Sequence, residues 1–144
     1  MSLMTAMEIG ASGLTAQRKR LEVLMSNLVN ANTTAPPGTE PFRRKDVVFA
    51  ATQPQQSFGS SFNEAMDGVS GVEVTQVVTD PRAPLRRLEP GNPNADKDGL
   101  VTYPNIDPME EMVNMLSATR SYEANLQAVN TTKDMALKTL DIIR

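Results

Sequence analysis

The stretch that decides the fold is residues 109–143, MEEMVNMLSATRSYEANLQAVNTTKDMALKTLDII, which contains neither glycine nor proline. Residues that recur at alternating intervals of three and four lie on one side of an α-helix. Just before the stretch, Asp107 stands at the N-cap position, Pro108 at N1 and Glu110 at N3 of a helix. The apolar stripe, interrupted at Thr119 and Lys133, runs through Met109, Met112, Leu116, Thr119, Tyr122, Leu126, Val129, Lys133, Ala136, Leu140 and Ile143. We therefore predict one long helix whose stripe is buried against another helix.

A similar stripe opens the chain and ends before Pro36-Pro37-Gly38, which cannot continue a helix. Its members are Leu3, Met7, Gly10, Leu14, Gln17, Leu21, Leu24, Leu28 and Ala31. The two ends of the chain are natural partners for each other, and copies of the chain are the next candidates. The predicted assembly seam consists of Leu14, Leu21, Leu24, Leu28, Met112, Leu116, Tyr122, Leu126, Val129 and Leu140.

The middle of the chain is rich in proline, glycine and polar residues. Alternation of apolar and polar residues predicts short strands at Lys45–Phe49, Val69–Thr79, Leu85–Leu88 and Leu100–Tyr103. The predicted fold is mainly α, with long N- and C-terminal helices that form a coiled-coil domain, an extended arm and a small β-containing middle region. Its segments are an N-terminal helix at 1–32, an extended and partly disordered arm at 33–68, strands and turns at 69–104, and a C-terminal helix at 105–144.

Composition argues against catalysis and against several classes of ligand. The 144 residues include no cysteine and no histidine, which removes thiolate chemistry, the commonest general base and the commonest transition-metal ligand. A net charge of −3 is too small to favour nucleic acid or an anionic membrane. The sequence shows no cleaved signal peptide and no run of apolar residues long enough for a membrane span. We expect no catalytic residues, no cofactor and no metal.

One segment imitates a calcium-binding loop. Asn94, Asp96, Asp98 and Gly99 occupy positions 1, 3, 5 and 6 of an EF-hand. Position 12 would be Asn105, whose amide cannot replace the bidentate carboxylate of such loops. A tight polar turn is the better interpretation.

Several motifs together resemble the flagellar basal-body rod protein family. SNLVNANTT at residues 26–34 is similar to the signature that ends the first helix of axial proteins of the flagellum, and residues 41–49, PFRRKDVVF, resemble another family segment. The stretch from Glu89 to Leu140 is similar to the proximal-rod members of the family. The matching positions are Asn27, Leu28, Asn30, Thr33, Pro90, Gly91, Pro93, Asp96, Gly99, Pro104, Asn105, Arg120, Tyr122 and Asn125.

This resemblance implies a structural subunit of the bacterial flagellar basal-body rod, located in its proximal, periplasm-spanning part. Such a subunit would stack helically with other rod proteins and with copies of itself, transmit torque and enclose the export channel. It would be exported unfolded by the flagellar type III machinery, without a cleaved signal peptide and without direct insertion into a membrane.

A cytoplasmic coiled-coil adaptor or chaperone-like binding module is the alternative function at this point. An adaptor has no need for the asparagine-rich helix exit together with the Pro104-Asn105-Ile106 turn, whereas the resemblance gives both a place in rod proteins. An enzyme is the least favoured class, because histidine and cysteine are absent and no carboxylate pair stands in a recognisable pattern.

The calcium interpretation has a direct test. Isothermal titration of the purified chain with calcium should reveal no site tighter than millimolar, because Asn105 replaces the bidentate carboxylate. Asn105→Glu is the matched variant, since it restores that carboxylate. A stoichiometric micromolar site in the unmodified chain would show that the EF-hand interpretation is correct.

Overall fold

A computed structural model of the chain describes residues 3–52 and 70–143. Two long helices, α1 (Leu3–Asn30) and α2 (Pro108–Ile143), stand at the two ends of the chain. The described residues between them form four strands: β1 (Lys45–Thr52), β2 (Gly71–Thr79), β3 (Leu85–Leu88) and β4 (Leu100–Tyr103). β1 pairs with β2, and β3 pairs with β4. The predicted helical ends and strand-containing middle are confirmed, and the predicted strands at 85–88 and 100–103 have the observed bounds.

The chain divides into two compact units, and both helices contribute to each. The first unit takes its described residues from Met1–Lys19, Val48–Gln76 and Ala118–Arg144. The second unit consists of Arg20–Val47 and Val77–Ser117.

Side chains satisfy the backbone groups at two helix ends. Asp107 Oδ1 accepts a hydrogen bond from the Met109 N–H at 2.9 Å, which confirms the predicted N-cap of α2. At the end of α1, the Asn30 side-chain amide donates to the Ser26 carbonyl at 2.8 Å. The Thr33 hydroxyl donates to the Asn30 carbonyl, also at 2.8 Å. Thr33 of the family motif thus satisfies the Asn30 carbonyl, one of those that a helix end leaves without intrahelical partners.

In the first unit, α1 and α2 approach closely at two glycines. A Cβ added to Gly10 would collide with a methyl group of Val129, and one added to Gly13 would lie 3.0 Å from the Asn125 amide nitrogen. Ser12 also joins β2 to α1, because its hydroxyl oxygen accepts from the Val72 N–H at 3.1 Å. The glycines therefore permit this helix contact, as larger residues would hold the two backbones apart.

In the second unit, β3 and β4 form an antiparallel ladder in which Leu85 lies opposite Tyr103 and Leu88 opposite Leu100. The Ala35 N–H donates to the Thr102 carbonyl at 3.4 Å on the other edge of β4. Val101 is fully buried within this unit. The strand pair thus supplies part of a small core beside the end of α1.

The segment with EF-hand spacing is a closed polar turn. Gly99 has a φ of +73°, a left-handed conformation that favours glycine. The Asp96 N–H donates to the Leu100 carbonyl, the Gly99 N–H donates to the Asp96 carbonyl, and both distances are 2.8 Å. The Asp96 side chain accepts from the Lys97 N–H at 2.7 Å. Across residues 3–52 and 70–143, no group of three or more histidine, cysteine or acidic side chains is arranged to hold a metal ion.

Residues 33–52, which the sequence prediction assigned to an extended, partly disordered arm, are held by specific contacts. The Asn94 side-chain amide donates to the Thr34 hydroxyl at 2.7 Å. The Asp80 N–H donates to the Arg44 carbonyl at 2.8 Å. The strand predicted at Lys45–Phe49 extends to Thr52, and the strand predicted from Val69 begins at Gly71. The remainder of the predicted arm, from residue 53, lies outside the described residues.

The glycine contact predicts the effect of a single added methyl group. Gly10→Ala should lower the free energy of unfolding by about 1–2 kcal/mol, because overpacking against Val129 outweighs the gain in helix propensity. Urea unfolding followed by circular dichroism measures this change. Gly91→Ala is the control, since no heavy atom lies within 4 Å of the added Cβ. Val129→Ala should restore part of the loss in the double variant, and a Gly10→Ala protein more stable than the parent would contradict the close approach.

Candidate functional site

The predicted seam residues occupy two different environments. On α1, Leu24 is only 2% exposed, and Leu14, Leu21 and Leu28 are half-buried. On α2, Tyr122 and Val129 are half-buried. The other four α2 members are between 42% and 64% exposed: Met112, Leu116, Leu126 and Leu140. In the isolated chain, these four side chains therefore keep about half of their surface exposed.

The inner face of α2 carries smaller and more polar residues than the apolar stripe. Glu111 and Ala118 are buried, while Asn125 and Val129 face the glycines of α1. The spacing from 111 to 118 to 125 is seven residues, so these three positions share one side of the helix. The predicted seam included Val129 on this side but not Glu111, Ala118 or Asn125, because hydrophobic periodicity does not select asparagine or glutamate at a helix contact.

A cluster of buried polar groups, here called the polar junction, lies in the second unit and consists of Asn27, Arg44, Glu111 and the backbone of Lys45. Asn27 is 0% exposed and uses both ends of its amide. Its Nδ2 donates to the Lys45 carbonyl at 2.7 Å and to Glu111 Oε2 at 3.0 Å. Its Oδ1 accepts from the Lys45 N–H at 2.9 Å. One side chain of α1 thereby fixes both the start of β1 and the first turn of α2.

Glu111 is the charged member with the least solvent access, at 1% exposure. Its Oε1 accepts from Arg44 Nε at 2.6 Å, and Arg44 is itself largely buried. Burial acts to lower the pKa of Arg44, but its hydrogen bond and attraction to Glu111 outweigh burial and raise that pKa. A buried carboxylate is tolerated only when it is paired, so removing either partner should be strongly destabilising.

The sequence prediction placed Asn27 among the motif residues but did not identify its partners. Glu111 was there only part of the predicted C-terminal helix, and Arg44 only part of the family segment at residues 41–49. The three residues are separated by 17 and 67 positions along the chain, and no local period connects them. The asparagine-rich exit of α1 was the available signal, because asparagine in an otherwise helical stripe needs hydrogen-bond partners when it is buried.

The remaining motif positions have mainly structural places in the second unit. Pro104 is fully buried, and the Asn105 amide donates to the Ala83 carbonyl at 3.1 Å. The turn that leads into β4 contains Pro90, Gly91, Pro93, Asp96 and Gly99. Tyr103 donates its hydroxyl to Glu89 at 2.8 Å. Hydrogen bonds from Asn92 and Tyr103 lower the pKa of Glu89. Of the motif positions on α2 in the first unit, Arg120 is exposed.

Large apolar side chains of α1 and α2 remain on the surface of both units. In the second unit they are Met25, Val29, Met109, Met112, Val113 and Leu116. In the first unit they are Met4, Leu126, Met135, Leu137 and Leu140. Neither helix, over its described length, is apolar enough to cross a membrane. Exposed apolar side chains in this number are surface that a protein partner can bury.

Comparison with known proteins identifies the family. A sequence profile described as "Flagella basal body rod protein" matches residues 7–36, and one described as "Flagellar basal body rod FlgEFG protein C-terminal" matches residues 97–142. The flagellar basal-body rod protein FlgC of Yersinia enterocolitica is 44% identical over 143 residues, which cover 99% of this chain and 98% of that protein. The chain belongs to the FlgC family of flagellar basal-body rod proteins.

Other FlgC proteins match over the same extent. The FlgC of Salmonella typhimurium is 44% identical over 144 residues, covering 99% of this chain and 98% of that protein. The FlgC of Bacillus subtilis is 39% identical over 150 residues, covering 99% of both. The two profile matches contain Asn27 and Glu111 of the polar junction, and Arg44 lies between them.

The polar junction predicts a large effect from an isosteric change. Asn27→Asp replaces the donor to Glu111 with a second carboxylate, so the free energy of unfolding should fall by about 3 kcal/mol near neutral pH. The loss should shrink as the pH falls, because protonation of the introduced carboxyl restores a hydrogen-bond donor to Glu111. Urea unfolding at several pH values measures both effects.

Asn30→Asp is the matched control on the same helix. In the described structure the side chain of Asn30 bonds only to the Ser26 carbonyl, so the loss in this variant should stay under about 1 kcal/mol. Equal losses at Asn27 and Asn30 would contradict the special position of Asn27.

Proposed function

We propose that this protein is a non-enzymatic structural subunit of the bacterial flagellar basal-body rod. Full-length similarity to FlgC proteins carries the proposal. The exposed apolar side chains of α1 and α2 supply the physical support, because they provide surface that other rod subunits can bury. The finer proposal is that the subunit lies in the proximal part of the rod and packs helically there.

The distribution of apolar side chains between the interior and the surface of the subunit favours assembly. Within the described part of the chain, the largest fully buried side chain is that of Glu111, a charged residue. Many methionine, leucine and valine side chains are exposed instead. Burial of apolar area contributes about 25 cal/mol per Å². A subunit that keeps so much of this area outside therefore gains stability when neighbours cover it.

The exposed α2 residues Met112, Leu116, Leu126 and Leu140 are proposed to form the assembly seam with helices of neighbouring subunits. Their spacing keeps them close to one side of α2, as the apolar seam of a coiled coil requires. Contacts between unlike surfaces that do not close into a ring produce an open helical assembly. Such an assembly of copies and other rod proteins is suited to transmitting torque and to surrounding a channel.

The proposed route to the rod is export in an unfolded state by the flagellar type III machinery, without a cleaved signal peptide or insertion into a membrane. The absence of cysteine supports this route, because no disulfide can hinder threading. The polar junction joins residues as distant in the chain as Asn27 and Glu111. It can therefore form only after both ends of the chain have left the export channel. A cytoplasmic adaptor is not favoured, since the similarity to rod proteins covers nearly the whole chain.

The proposed seam can be tested with neighbouring residues. Leu126→Asp should abolish motility in a strain that lacks the wild-type protein, because a charge in an apolar seam lacks a partner. Leu126 is 42% exposed, so the variant subunit should still fold. Swimming in soft agar and electron microscopy of basal bodies measure the result. Gln127→Asp is the control, since it introduces the same side chain at an adjacent exposed position.

Normal rods and normal swimming with Leu126→Asp would refute a seam at this position. Leu24→Asp is expected to fail differently. Leu24 is 2% exposed, so that variant should lose folded structure before assembly becomes relevant. Circular dichroism of the two purified variants separates the two causes.

A further inference from the structure

The outer edge of β3 offers backbone groups for a further strand. In an antiparallel ladder, alternate residues direct both backbone groups towards the partner strand, and the residues between them direct theirs away. The Glu89 N–H donates to the Gly99 carbonyl at 2.8 Å, which fixes the phase of this alternation. With the observed register, Leu85 and Arg87 face β4. The backbone groups of Arg86 and Leu88 therefore point to the outer edge.

The other edge of the strand pair is already occupied. Thr102 of β4 accepts its hydrogen bond from Ala35, so the open side of the sheet is the side of β3. Within the part of the chain that the structure describes, no backbone or side-chain group bonds to the outward N–H or C=O of Arg86 or Leu88. Both residues are exposed, and Leu88 is 69% exposed.

A cleft of about 290 Å³ lies in the same unit, mainly on the β4 side of the strand pair, where Ala35, Asp96 and Leu100 line it. Arg86 and Thr102 contribute to its lining from the strands, and the loop from Pro36 to Pro41 and Arg43 line it as well. Arg43 approaches Glu40 at 3.7 Å. Arg86 has no carboxylate partner among the described residues. The edge therefore combines unpaired backbone groups with an arginine that has no counter-ion.

We propose that the outer edge of β3 binds an extended strand of a neighbouring rod subunit, and that this strand places a carboxylate side chain beside Arg86. The inference rests on the proposed function, because it takes the neighbour to be a rod subunit. Strand addition obtains affinity from main-chain hydrogen bonds and specificity from side chains at alternate positions. Here the outward groups of Arg86 and Leu88 provide the hydrogen bonds, and Arg86 selects an acidic strand.

The charge of β3 argues against two copies pairing through this same strand. β3 carries Arg86 and Arg87 in succession, so an edge-to-edge pair of β3 strands would bring arginines together. Like charges on paired strands are destabilising. The occupant is therefore an acidic strand from a different surface. Short, charged edge strands can also serve only to prevent unwanted pairing. If β3 had that role, its outward amides would exchange as fast in the rod as in the free protein.

Residue-resolved amide hydrogen exchange distinguishes these outcomes. It is measured on the free protein and on purified basal bodies that contain it. Arg87 should exchange slowly in both samples, because it faces β4. The amides of Arg86 and Leu88 should exchange fast in the free protein, and their exchange should slow by roughly tenfold or more in the rod. Unchanged fast exchange of these two amides in the rod would overturn the proposed strand addition while leaving the rod function intact. Absence of the protein from basal bodies would overturn both.

A charge reversal provides the second arm. Arg86→Glu should reduce counts of complete basal bodies and the expansion of swimming halos by roughly threefold or more, because it repels an acidic strand. Lys97→Glu changes the charge equally at an exposed position of the turn before β4 and should leave both readouts unchanged. Thermal unfolding of the purified variants checks that both fold. Equal behaviour of folded Arg86→Glu and Lys97→Glu proteins would overturn the role of Arg86.

Discussion

The hydrogen bonds of the buried Asn27 amide to Glu111 and to the backbone of Lys45 are the constraint on which the second unit depends. They join the end of α1, the start of β1 and the first turn of α2. Arg44 neutralises the carboxylate that this arrangement buries. Buried polar groups have few alternative partners, and each broken pair leaves an unsatisfied group, so the cluster favours one arrangement of these segments over its competitors.

Small and polar residues at the helix contacts leave the larger apolar side chains for other surfaces. Gly10 and Gly13 permit close approach in the first unit, and Asn27 meets Glu111 in the second. Meanwhile leucines such as Leu116 and Leu140 on α2 are exposed. This distribution differs from that of a stable monomeric domain, in which most large apolar residues are inside. It is the distribution expected of a subunit that completes its burial in a larger assembly.

Two kinds of surface are therefore available to neighbouring rod proteins. Apolar helix faces gain energy from burial but discriminate weakly, because the hydrophobic effect has no direction. The edge of β3 is directional, since backbone groups and the charge of Arg86 define the register and sign of what can pair there. A rod that orders different subunits along one axis needs both affinity and selectivity. The apolar helix faces supply the affinity, and the edge of β3 supplies the selectivity.

The sequence by itself determined both long helices, the N-cap at Asp107 and the bounds of β3 and β4, because capping, turn chemistry and apolar spacing are local properties. It also determined that catalysis lacks its usual residues and that the motifs resemble rod proteins. Only the tertiary structure decided which side of α2 faces inward. Apolar spacing pointed to Leu116 and Leu126, but Glu111, Ala118 and Asn125 lie on the inner side. That choice depends on partners such as Gly13, Asn27 and Arg44 that are distant in the chain, and a local period carries no information about them.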